Sequence, residues 1–240
     1  MFKKLLFVLC FLSVCCLGVN SAYASATILV DKKENAKIPF MFTGSFIGSK
    51  DVHHSTNHEV GGGLKVAYTG ITEVPVRPYV KINVEKDKYN EGIYSVESKT
   101  YPSYGIGLEG TIAEWDNVIL LGNKVGLFGD ISCSYAKHKF KKYQVSGTEL
   151  LNSDKKVSSE WGVMLGISKT IDLSKGNVKP YVGCEYVHVN SVMPEDKHHR
   201  DQVSPVLGTV WNVNETVALE LEAKFFDKDL TVEAGVTLQF

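Results

Sequence analysis

Apolar and polar residues alternate along most of this chain, and the alternation is clearest at its end. Leu230, Val232, Ala234, Val236, Leu238 and Phe240 fall on one parity, and Thr231, Glu233, Gly235, Thr237 and Gln239 on the other. A period of two is that of a pleated strand, whose successive side chains point to opposite faces. The same pattern predicts nine earlier strands near 38–48, 60–70, 76–85, 104–113, 119–136, 158–171, 178–189, 202–211 and 216–225. The eighth is ambiguous, because Leu207 and Trp211 compete with Val206 and Val210 for the apolar face.

The connections alternate as well. Those after odd-numbered strands are long and polar, near 49–59, 86–103, 137–157 and 190–201, with a tight one near 226–229. Those after even-numbered strands are short, near 71–75, 114–118, 172–177 and 212–215. Ten antiparallel strands would bring both ends of the sheet to the short-turn side, the layout of a barrel with short turns on one rim and long loops on the other.

Residues 1–24 read as a leader: Lys3 and Lys4, an apolar run from Leu5 to Leu17, then Ala22-Tyr23-Ala24 fitting the small-x-small cleavage rule. The apolar run is short for a bilayer span. The expected organisation is a signal peptide at 1–24, a short periplasmic segment at 25–37 and one barrel domain at 38–240. Of 26 basic residues two lie in the leader, leaving 24 against 27 acids, a balance of about −3. That gives no encouragement to a nucleic-acid partner. Cys10, Cys15 and Cys16 leave with the leader. Cys133 and Cys184 fall on non-neighbouring strands, both outward, so lipid-facing thiols are expected rather than a disulfide.

Alternation alone does not separate a barrel with a greasy core from one with a greasy exterior. Two features favour lipid outside. Aromatics recur near strand ends on the apolar parity, at Tyr68, Tyr104, Trp161, Trp211 and Phe225, as interfacial girdles require. The chain also stops on an aromatic at the last position of a strong strand. In lipid every strand edge must be paired, so only a closed sheet can span. The fold class expected is all-β: a closed antiparallel up-and-down transmembrane β-barrel of ten strands, with eight as the alternative.

The tail Glu233-Ala234-Gly235-Val236-Thr237-Leu238-Gln239-Phe240 resembles the C-terminal assembly signal of outer-membrane barrels. That resemblance implies that Glu233, Gly235, Leu238 and Phe240 are read by the barrel-assembly machinery. Val178-Lys179-Pro180-Tyr181-Val182-Gly183 is similar to the strand openings of the small OmpA/OmpX/opacity-type barrels, and Val76-Arg77-Pro78-Tyr79-Val80 repeats it. The resemblance implies an outer-membrane location, with outer-membrane lipid and lipopolysaccharide as surroundings.

The inward parity carries charges of both signs: Arg77, Lys81, Glu85, Glu109, Asp130, Lys179, Glu185, Glu220, Glu222 and Lys224, with Glu233 beside them. In a narrow lumen these must be paired or hydrated. A salt-bridged plug is the expectation and a narrow ion- or solute-conducting pore the alternative. His53, His54 and His58, then His198 and His199, lie in long loops with no ligand spacing for a closed metal site, and no cofactor is expected. Lys137, Lys139, Lys141 and Lys142 make the third loop basic. Two enzymatic readings rest on resemblance alone. Asp51-Val52-His53 superficially resembles the acid–His pair of omptin-type proteases, and Ser191 near His188 the Ser–His pair of lipid A hydrolases. The function expected is a non-enzymatic barrel whose external loops serve surface contact, adhesion or membrane integrity.

Overall fold

A computed structural model describes residues 29–31, 38–51, 58–71, 75–91, 94–116, 124–145, 148–149, 155–192, 197–226 and 229–240. The leader expected at 1–24 and His53 and His54 lie outside them. Ten long strands follow one another: β1 (Phe40–Asp51), β2 (His58–Tyr68), β3 (Val76–Glu91), β4 (Tyr101–Trp115), β5 (Val125–Val145), β6 (Lys155–Lys169), β7 (Asn177–Val192), β8 (Lys197–Asn212), β9 (Val217–Phe226) and β10 (Asp229–Gln239). Each pairs antiparallel with the next. β10 then pairs with β1, from Met41↔Gln239 to Asp51↔Asp229, and the sheet closes. The short strand Tyr94–Ser98 prolongs the β4 stave and pairs with β3 and β5.

The short turns follow from local chemistry. Between β8 and β9 the Asn214 side chain accepts from the Thr216 and Val217 amides at 2.8 and 2.9 Å, a side-chain turn of the kind Asn favours. Between β6 and β7 the chain reverses at Gly176, whose φ of 71° suits a residue without Cβ.

The outward parity is apolar from Val76 to Val84 in β3 and from Trp161 to Ile167 in β6. Val80, Ile82, Leu165, Val182 and Leu221 are each half exposed or more. The expected girdle residues Tyr68, Tyr104, Trp161, Trp211 and Phe225 are all exposed on this surface. A bulge adds one more. Thr111 pairs with Phe128 but Ala113 with Leu127, so Ile112 is the extra residue and the parity of β4 switches after it. Trp115 is thereby turned to the outside, where it is 47% exposed.

Three sequence expectations are amended. The loops expected at 86–103, 137–157 and 190–201 are largely strand, because β3, β5, β7 and β8 continue outward as paired arms. Beyond the lipid both faces of a hairpin are wet, so the alternation that marks a spanning strand fades. In β8, Leu207 and Trp211 point outward, while Val206 and Val210 are fully buried inside. Cys184 is exposed as expected, but Cys133, on the outward parity of β5, is buried. Its register partners Ile106 and Trp161 are large and leave the small thiol no surface.

Glycines inside the barrel make room for large neighbours. A Cβ at Gly107 would collide with the Tyr79 ring, and one at Gly208 with the Tyr181 ring. Gly208→Val should therefore cost about 1–3 kcal/mol by overpacking. Gly44→Val, where a Cβ has nothing within 4 Å, should be near neutral. Denaturant midpoints of the detergent-folded variants measure the difference.

Candidate functional site: the ion-paired lumen and its periplasmic mouth

Inside the barrel lie two clusters of the same construction. In the first, Lys65 Nζ lies 2.6 Å from Glu109 Oε2 and 3.9 Å from the centre of the Tyr79 ring. The Tyr79 hydroxyl donates to Asp130 at 3.0 Å. In the second, Lys224 Nζ lies 2.9 Å from Glu185 and 3.3 Å from Glu222, whose other oxygen accepts from the Tyr181 hydroxyl at 2.6 Å. Each cluster sets one lysine and one tyrosine against two carboxylates.

The two tyrosines come from the repeated Pro-Tyr-Val openings of β3 and β7. Both point inward and rest against a glycine of the next strand, Gly107 or Gly208. The repeat in the sequence is thus a repeat of environment. Smaller polar bonds complete the layer: Ser103 and Asn83 donate to Glu85 at 2.8 and 3.2 Å, and Thr43 bonds Thr237 at 2.7 Å.

Of the charges expected in the lumen, Lys81, Glu85, Glu109, Asp130, Glu185, Glu222, Lys224 and Glu233 are buried there. Arg77, Lys179 and Glu220 lie lower, partly exposed towards the short-turn rim. The alternation puts Lys65 on the inward parity of β2 but not among the lumen charges expected; it is buried beside its register partner Lys81. Sequence reading missed the two tyrosines, since phenols inside a polar lumen look like ordinary aromatics in the sequence. The buried lysines Lys65, Lys81 and Lys224 are outnumbered by the buried acids Glu85, Glu109, Asp130, Glu185, Glu222 and Glu233. Lys224 lies within reach of two of them, Glu185 and Glu222.

A charged, buried interior wrapped by an exposed apolar surface is the inverse of a water-soluble barrel. Lipid is the only solvent that such an exterior suits. The chain is an outer-membrane β-barrel.

The short-turn rim is accordingly the periplasmic one. No protein-family model and no curated protein matches the sequence. Among solved structures it is similar to the translocator domain of the autotransporter NalP from Neisseria meningitidis, at 8% identity, covering 84% of this chain and 88% of that one, with a TM-score of 0.45. It is also similar to the attachment invasion locus protein Ail of Yersinia pestis, at 10% identity, 85% and 99% coverage and a TM-score of 0.32. A further likeness is to the transport unit of the autotransporter AIDA-I from Escherichia coli, at 10% identity, 90% and 95% coverage and a TM-score of 0.40. The membrane assignment rests on the inverted barrel and not on these likenesses.

The periplasmic mouth of this outer-membrane barrel holds a feature the sequence did not announce. Leu29, Val30 and Asp31 sit inside it, the first two buried with Met41, Phe128, Tyr181, Val210 and Ala218. This explains why β8 is apolar on both faces: Val210 meets the plug within and Trp211 meets lipid without. Asn212 accepts from the Asp31 amide at 2.9 Å and donates to the Leu29 carbonyl at 3.3 Å. Arg77 donates to the Val30 carbonyl at 3.0 Å, and Gln239 to the Asp31 carbonyl at 2.5 Å. The Asp31 carboxylate takes Lys179 at 2.6 Å and Asn177 at 2.5 Å. Burial pushes this carboxyl up, but the bonds from Lys179 and Asn177 outweigh it and hold it below its ordinary value.

On the outward face of the β7–β8 arm, above Trp161, Asp201 meets His188 at 2.6 Å and accepts from the Tyr186 hydroxyl at 2.7 Å. The His188 ring lies 5.7 Å from Trp161. Ser191, the partner suggested by resemblance, follows three positions after His188 on β7, and its side chain lies outside what the structure describes. Asp51 ends β1, while His53, its proposed partner, lies outside the described residues.

Removing one partner of a buried ion pair leaves the other charge uncompensated, at a cost of about 3–5 kcal/mol. Lys224→Met, which strands Glu185 and Glu222, should lose that much stability and migrate as an unfolded chain at a lower temperature in unboiled gels. Lys86→Met, whose bond to Glu97 at 3.2 Å is exposed, should change little.

Proposed function

We propose that this barrel is a closed, non-conducting and non-enzymatic platform that presents its outer arms at the cell surface. The observation that carries the reading is the pair of buried clusters around Lys65 and Lys224, whose charges are met by side chains inside the barrel. A cavity beside Lys65, lined by Thr43, Lys65, Lys81, Asn83 and Glu233, measures about 10 Å³, room for a single water at most. A barrel of this strand number is only a little wider than one filled by its own side chains. The arms of β3, β5, β7 and β8 supply the surface for contact or adhesion, and lipopolysaccharide supplies their surroundings.

A narrow pore is the competing reading, and conductance in planar bilayers decides between them. The purified, refolded barrel should give no discrete openings at moderate voltage. Reproducible single-channel steps from the wild-type protein would overturn the closed lumen.

The assembly role of the final strand belongs to the same proposal. Leu238 and Phe240 are exposed on the lipid side, with the Phe240 ring 6.1 Å from Phe42. Glu233 and Gly235 lie on the luminal parity. A Cβ at Gly235 would meet only ordinary contacts, the nearest at 3.4 Å, so packing does not demand a glycine there. Phe240→Ala and Gly235→Ala should each lower the amount of barrel inserted in cells several-fold while leaving the denaturant midpoint of the refolded protein within about 1 kcal/mol of wild type. Normal insertion of both variants would sink the assembly reading.

A further inference from the structure

We infer that the periplasmic mouth is a peptide-binding site for an apolar–apolar–Asp segment, filled in cis by Leu29–Val30–Asp31, which turns at Leu29 and Val30. Its chemistry is that of main-chain recognition. One amide side chain, Asn212, pairs with both an N–H and a C=O of the segment. Arg77 from β3 and Gln239 from β10 hold the next two carbonyls in turn. Three strands thus read the tripeptide through its backbone.

Side-chain selectivity comes from two features. Leu29 and Val30 are 5% and 2% exposed among apolar luminal residues, so the two positions before the acid must be apolar. The acid is read by Lys179 on one oxygen and Asn177 on the other. An amide in its place would forfeit the ion pair and one acceptor.

Every bond just named runs from the segment to a side chain of the wall, and none is a rung of the sheet. The segment can therefore leave without opening a strand pair, and a second peptide of the same pattern can take its place. Beside it the mouth keeps an open cavity of about 480 Å³, bordered by Arg77, Lys124 and Lys179 and by Glu114, Asp116 and Asp172. This is room for an incoming chain to engage before displacement. The charged groups facing Asp31 are Lys179 from β7 and Arg77 from β3. Because the Asp31 value is depressed in the folded state, its contribution is complete above the ordinary carboxylate value, near pH 3.9, and is lost as the pH falls through the lower folded value.

The test uses the full chain in detergent and a dye-labelled peptide, Thr-Ile-Leu-Val-Asp-Lys. Asp31→Ala weakens the resident segment, so the peptide should bind this variant at least about tenfold more tightly than wild type, the scale expected of charge-assisted bonds. Adding Lys179→Gln should abolish that gain, and a peptide with Asn for Asp should bind about tenfold more weakly. Equal binding to all three chains, or none to the Asp31→Ala chain, overturns the proposal. Hydrogen exchange on the unlabelled wild type gives an independent reading. The Asp31 amide should be protected, and Asn212→Ala should remove the protection; exchange at the open-chain rate in wild type would also overturn it.

Discussion

Hydrocarbon offers a peptide group no hydrogen-bond partner, and the pairing of β1 with β10 is what satisfies that constraint here. Without the rungs from Met41↔Gln239 to Asp51↔Asp229, two edges of unpaired amides and carbonyls would face lipid. Closure then fixes the rest. It gives the sheet a narrow inside, where inward charges lie close enough to pair with one another. It also forces large and small residues to alternate across the lumen, as Tyr79 does with Gly107 and Tyr181 with Gly208. The ion pairs are thus a consequence of shape, since a ring of this size has no other way to carry polar residues.

The two halves of the interior solve this differently. The middle of the lumen is filled by lysine, tyrosine and carboxylate, while the periplasmic end is filled by an apolar cluster that includes residues from outside the sheet. Arg77 and Lys179 mark the border. Each stands two positions before a luminal tyrosine in the repeated strand opening, and each reaches down to the segment at the mouth. One short motif therefore contributes both to the central layer and to the seal below it.

Much of this architecture was legible from alternation alone, because lipid outside and polar groups inside impose a strict period of two. The strands with the cleanest pattern, such as the last one from Leu230, needed nothing else. What escaped were the places where the period gives way to another demand. The bulge at Ile112 switches parity and brings Trp115 to the girdle. β8 breaks the rule because its inner face meets Phe128 and Leu29 rather than water or charge. Lys65 was visible as an inward residue, but only the register beside Lys81 reveals its place in the network. Residues 29–31 carry no periodic signal, since three residues held by side chains from distant strands leave no local trace.

The arms that continue β5 and β7 past the girdle are held by backbone rungs. Such rungs do not depend on which side chain a residue carries, so substitutions there leave the register of the spanning part untouched. Changes to that outer surface cost little in folding, while changes around Lys224 and Tyr181 break buried ion pairs and hydrogen bonds. Surface identity and structural identity are in this way kept on different stretches of the same strands.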